Sequence, residues 1–115
     1  MTEYKADKFF AAAIEKTKNG QLSWFRILGT DITHADFTDP ERSFSARYGS
    51  GKIYLIRSCL SGEITCIIKP DKEADPQQLG VADNASLLRL YNIVYSLFPS
   101  VESFIDSFIG ESPTE

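Results

Sequence analysis

Asp31, His34, Asp36, Asp39 and Glu41 gather carboxylates around the single histidine of the chain, and oxygen and imidazole donors of this kind can hold a divalent cation. The spacing is not that of a calcium loop, because there is no alternating acidic series closed by glycine and no bidentate glutamate at the twelfth position. The same acids do not make a glycosidase pair, since nothing in the surrounding sequence raises the pKa of one carboxyl against another. The stretch reads as a solvated loop whose short polar side chains cap turns. Cys59 and Cys66 are the two cysteines. They form no C-x-x-C pair, and with one distant histidine they complete neither a zinc site nor a supported Cys–His nucleophile. No metal ligand, cofactor or catalytic residue is assigned, and both cysteines are expected to be reduced, buried and not bonded to each other.

Tyr48-Gly49-Ser50-Gly51-Lys52 places glycines where backbone N–H groups could close on an anion. A P-loop needs a wider glycine spacing and a helix after the lysine. Here Ile53-Tyr54-Leu55-Ile56 continues as a strand, so a plain hairpin turn is expected.

These groups belong to a chain of 115 residues, 43% hydrophobic and 24% charged, the composition of one globular domain. Twelve Lys and Arg against sixteen Asp and Glu give a net charge of −4. That balance argues against a general polyanion binder, so nucleic acid is not an expected partner, although a local basic patch is compatible with it. No apolar run reaches the roughly 18 residues of a membrane span, and the run from Phe9 to Ile14 is too short for a signal-peptide core. A cytoplasmic protein with no membrane partner is expected, with one domain over residues 1–110 and a flexible tail over 111–115.

The elements that must position the reactive groups follow from periodicity. Ala6, Phe9, Phe10, Ala13 and Thr17 fall on one helical stripe that stops at Asn19-Gly20. Leu22 to Leu28 is rich in β-formers and predicts a strand, and Thr30 to Arg42 predicts a loop. Two hairpins, an edge strand at Leu79 to Ala82, and a helix from Ser86 to Phe98 capped by Asp83 or Asn84 come next. After Pro99 a last helix carries Val101, Phe104, Ile105, Phe108 and Ile109 up to Gly110. The order predicts an α+β fold, an antiparallel sheet of four or five strands with the N-terminal helix and two C-terminal helices mainly on one face.

Centring the hairpin turns on Ser50-Gly51 and Ser61-Gly62 pairs Tyr48 with Ile53, Phe44 with Arg57, Cys59 with Ile64 and Arg57 with Cys66. One sheet face then carries Phe44, Ala46, Tyr48, Ile53, Leu55, Cys59, Ile64, Cys66 and Ile68, over which Phe9, Leu90, Val94, Phe104 and Phe108 are expected to pack. Arg57 interrupts this core face. A salt bridge, with Asp83 as a candidate partner, or an anion site accounts for it. The opposite face sets Arg47, Tyr54 and Lys69 side by side, next to Ile56 and Ile67. Cations flanking one ring can bind single-stranded nucleic acid, but an apolar patch rimmed by charge suits a protein contact better and agrees with the acidic net charge.

The C-terminal run Leu87-Leu88-Arg89-Leu90-Tyr91-Asn92-Ile93-Val94-Tyr95-Ser96-Leu97-Phe98-Pro99-Ser100-Val101-Glu102-Ser103-Phe104-Ile105-Asp106 resembles the ending of small uncharacterised proteins from Gram-positive bacteria. Thr17-Lys18-Asn19-Gly20-Gln21-Leu22-Ser23-Trp24 is similar to their helix-to-strand junction. The resemblance carries over no functional residue; it implies a bacterial cytoplasmic protein with a specialised partner. The functional expectation is a non-enzymatic accessory or regulatory protein acting through protein contact or self-association at Arg47, Tyr54, Ile56, Ile67 and Lys69. The alternative is a small-molecule or anion binder with a pocket near Arg57, between the sheet and the C-terminal helices.

Overall fold

A computed structural model describes residues 3–27, 38–98 and 101–110. Helix α1 (Glu3–Lys18) leads into β1 (Trp24–Arg26), β2 (Phe44–Tyr48), β3 (Gly51–Arg57), β4 (Ile64–Lys69) and β5 (Gln77–Gln78), followed by α2 (Ala85–Ser96) and α3 (Val101–Gly110). The five strands form one antiparallel sheet in the order β1-β2-β3-β4-β5. This is the α+β architecture read from the sequence.

Helix α1 ends where its sequence says it must. Gly20 takes a φ of +76°, Gln21 N–H donates to the Lys16 carbonyl at 2.8 Å, and Gly20 N–H donates to that of Thr17 at 3.2 Å. These bonds satisfy carbonyls that the last turn leaves open. Asn84 caps α2, its side-chain oxygen accepting from Ser86 and Leu87 N–H at 2.8 and 3.1 Å. The core lies between one sheet face (Phe44, Ala46, Ile53, Leu55, Ile64, Cys66) and the apolar sides of α1 and α2, with Phe10, Leu87, Leu90 and Val94 fully enclosed. The indole of Trp24 donates to Thr17 Oγ1 at 2.9 Å, and that hydroxyl donates to the Ala13 carbonyl at 2.7 Å. A polar pair is thereby buried without an unpaired group.

Both hairpin registers differ from expectation by two residues. Ala46 pairs with Ile53 and Phe44 with Leu55, because Gly49 (φ +61°), not Gly51, supplies the left-handed position and the turn is centred on Gly49-Ser50. Gly at the first central position is the requirement of a type II′ hairpin. Arg57 pairs with Ile64 and Leu55 with Cys66. The second connection is a longer loop in which Ser58 N–H donates to the Glu63 carbonyl and Gly62 N–H to that of Ser58. An even slip preserves which side chains share a face, so the core face stands. Its ends do not. Cys59 falls in the loop and is exposed, and Tyr48, at the tip of the hairpin, is 62% exposed.

Two further expectations are corrected. The opposite sheet face is not open: Tyr54 is 2% and Ile56 8% exposed, and with Ile27 they form a second apolar cluster against which half-buried Ile67 packs. Conversely, Phe104 and Phe108 do not pack over the core; they are 67% and 70% exposed, and Ile105 and Ile109 are exposed beside them. Among the described residues α1 and α2 are the helices that cover the main core, and the radius of gyration, 15.6 Å, exceeds the roughly 13 Å typical of this length. No described helix is long and apolar enough to cross a membrane.

Candidate anion-binding site

The corrected register brings together residues that the sequence reading held apart. Arg47 on β2 pairs with Lys52 on β3, and Lys52 pairs with Lys69 on β4. Three cations therefore stand directly opposite one another across three neighbouring strands. Like charges in that arrangement repel and destabilise a sheet. Among the described residues none of the three is ion-paired with a carboxylate; the ion pair there is Arg42–Asp39, at 3.0 Å, elsewhere in the fold.

The row floors a pocket of about 330 Å³ whose wall is completed by Gly49 and Ser50 of the hairpin turn and by Asp71 and Lys72. Its shape follows from local backbone requirements. Gly51 runs so close to the next strand that a Cβ there would lie 2.5 Å from the Pro70 carbonyl oxygen and 2.6 Å from that of Lys69. This contact holds the end of β4 against the turn. The Asp71 carboxylate is engaged in a tight turn of its own, accepting from Glu73 and Ala74 N–H at 2.8 and 2.9 Å, and that turn presents Lys72 at the rim. Two ammonium groups on the sheet, a third at the rim, a guanidinium and the Ser50 hydroxyl form a donor set for oxyanions.

Each nominated residue now has a place. Arg47 is exposed and Lys69 half-buried in this pocket. Tyr54 also lines it, one row inward, but its near-complete burial leaves no ring face on which a base could stack. Ile56 and Ile67 belong to the second apolar cluster and offer no open patch. Lys52 and Lys72 are the cations the sequence reading does not find: Lys52 because that reading centres the turn one residue too late, and Lys72 because it lies beyond the strands in a connection with no register to place it. The only signal for Lys52 was the glycine on either side of Ser50.

Arg57 lies at the far end of β3, and it does not line the pocket. Its guanidinium sits about 3.6 Å from where a Cβ on Gly62 would be and acts on the Tyr91 hydroxyl. Burial raises the pKa of that phenol, and the nearby positive charge opposes the rise. Asp83 does not pair with Arg57; at a φ of 57° its carboxylate accepts from Ile64 N–H at 2.8 Å. Of the acidic loop, Asp31, His34 and Asp36 lie outside the described residues. Asp39 caps a short 3-10 turn at Pro40–Arg42, accepting from Glu41 N–H, and among the described residues no cluster of three metal-ligating side chains occurs. Cys66 is enclosed by the core, and burial pushes its thiol up to about 12.

Comparison of the chain with models of known protein families, with curated proteins and with solved structures gives no match.

Proposed function

We propose that the chain is a non-enzymatic binding protein that captures a small ligand bearing two or more anionic oxygen groups in the pocket at the β2–β3 turn. The observation that carries this reading is the unpaired row Arg47–Lys52–Lys69 in direct cross-strand register. The carboxylate in the pocket wall, Asp71, is engaged by the Glu73 and Ala74 N–H groups and makes no ion pair with the row among the described residues, so a bound anion would relieve the repulsion. The volume, about 330 Å³, suits a small molecule rather than a polymer, and the net charge of −4 disfavours a long polyanion.

Diphosphates and polycarboxylates share the required chemistry, and calorimetric titration with pyrophosphate in one arm and citrate in the other separates them. Saturable binding of one or both is expected. Lys52→Gln with Lys69→Gln should weaken it by about tenfold or more, the value of a charge-assisted hydrogen bond or two. Absence of binding in both arms, or unchanged affinity in the double variant, would remove the reading.

A second reading, an accessory or regulatory protein acting through protein contact, is supported by a different observation from the one the sequence suggested. Helix α3 exposes Phe104, Ile105, Phe108 and Ile109 along one stretch, and contiguous apolar surface of this kind marks an interaction site.

A further inference from the structure

Resting on that second reading, we propose that α3 of one copy of the chain seats in a groove between α1 and the sheet of a second copy, the exchange being reciprocal about a two-fold axis. The groove is an apolar cavity of about 200 Å³ lined by Phe9, Ala12, Leu22, Tyr48 and Ile53. Ala12 presents only a methyl group there, which lets a second helix approach to the ordinary packing distance of about 8–10 Å. Phe104 and Phe108 are four positions apart, so they project from one side of α3 and can enter the groove as a pair.

Charge selects the same occupant. Among the described residues lining the groove Lys16 is the charged one; it lies 5.7 Å from the Tyr48 ring and has no ion pair among the described residues. Helix α3 carries acids and no base, and Asp106 lies between the two phenylalanines. Reciprocity doubles the contact: each arm brings four exposed apolar side chains, Phe104, Ile105, Phe108 and Ile109, to the partner.

Sedimentation equilibrium of the full chain over a concentration series tests this. The wild type should dimerise. Phe104→Ser with Phe108→Ser should be monomeric with an unchanged monomer unfolding transition, since both rings are exposed in the monomer. Lys16→Glu should weaken the dimer by about tenfold, through two repulsive pairs per dimer, and Lys16→Glu with Asp106→Lys should recover most of the loss. A monomeric wild type, a dimer that tolerates the serine pair, or no recovery in the charge exchange would each overturn the exchange. An apolar dye separates the two levels: a monomeric wild type that binds it through α3, with the signal lost in the serine pair, overturns the exchange and leaves the contact reading standing. A monomer without α3-dependent signal removes both.

Discussion

Leu55 and Ile56 are consecutive residues of the central strand pointing to opposite faces, and replacing each in turn by alanine measures how much of the stability lies on each side of the sheet. Leu55 is fully enclosed between Phe44 and Cys66 of the flanking strands and beneath the helices. The elements around it are packed on all sides and cannot close the space, so Leu55→Ala should cost about 3–5 kcal/mol, the upper part of the range for such truncations. Among the described residues Ile56 clusters with Ile27, Tyr54 and half-buried Ile67 and, unlike Leu55, keeps some exposure. Less buried apolar surface is lost on truncation, and the expected cost falls to about 2 kcal/mol. Both are large fractions of the roughly 5–15 kcal/mol that separates a folded domain from its unfolded chain. Urea denaturation followed by tryptophan fluorescence should show both midpoints lowered with the slope unchanged. A cost below about 0.5 kcal/mol for Ile56→Ala, the value of an ordinary surface substitution, would show that the second face is open and the two-sided account wrong.

Thr17→Val should cost about 1–3 kcal/mol, because the Trp24 indole N–H keeps its burial and loses its acceptor; Thr17→Ser should retain most of the stability in the same urea assay. The Cys66 thiol has its pKa raised from 9.0 to about 12 in the folded chain. The unfolded chain therefore loses this proton first, so the contribution is intact below pH 9 and is lost as pH rises from 9 towards 12. Urea midpoints measured across that interval should fall, and Cys66→Ala should flatten the decline. Gly51→Ala drives a methyl group onto two backbone carbonyls. It should lower both stability and pyrophosphate affinity in thermal unfolding and calorimetry, whereas Gly20→Ala, with open space around it, should affect stability alone.

The sheet faces were legible in the sequence while the pairing within them was not, and the difference is one of parity. Moving a two-residue turn by one position shifts the partner of every residue by two, which exchanges neighbours without turning any side chain over. Phe44, Leu55, Ile64 and Cys66 therefore appear in the core for the right reason, but Lys52 and Tyr54 exchange rows, and with them the composition of the candidate site. The glycine pair around Ser50 is symmetric in sequence. What breaks the symmetry is the Pro70 carbonyl, a contact from a strand nearly twenty residues further on, which no local pattern encodes. The second apolar cluster is hidden for a related reason: Tyr54 and Ile56 on β3 and Ile67 on β4 share their face with Ser45 and Thr65 of the same rows and with the cations at its end, so the face reads as mixed although its centre is buried. The stripe on α3 was read correctly as amphipathic, but periodicity names an apolar side without naming what covers it. The stop at Gly20 needs only local chemistry, and of the two caps the sequence offers for α2, Asp83 and Asn84, it is Asn84 that accepts from the first turn.

The central claim is that an anion is held by the row Arg47–Lys52–Lys69 under the Gly49-Ser50 turn, and residue-resolved NMR during a pyrophosphate titration tests it most directly. The account predicts saturable shifts of the Gly49, Ser50, Gly51 and Lys72 amides and of the Lys52 and Lys69 side chains, with Gly62, Ile64 and the Tyr91 ring unmoved. Shifts centred on Arg57 and Tyr91, or none that saturate at the hairpin turn, would contradict it.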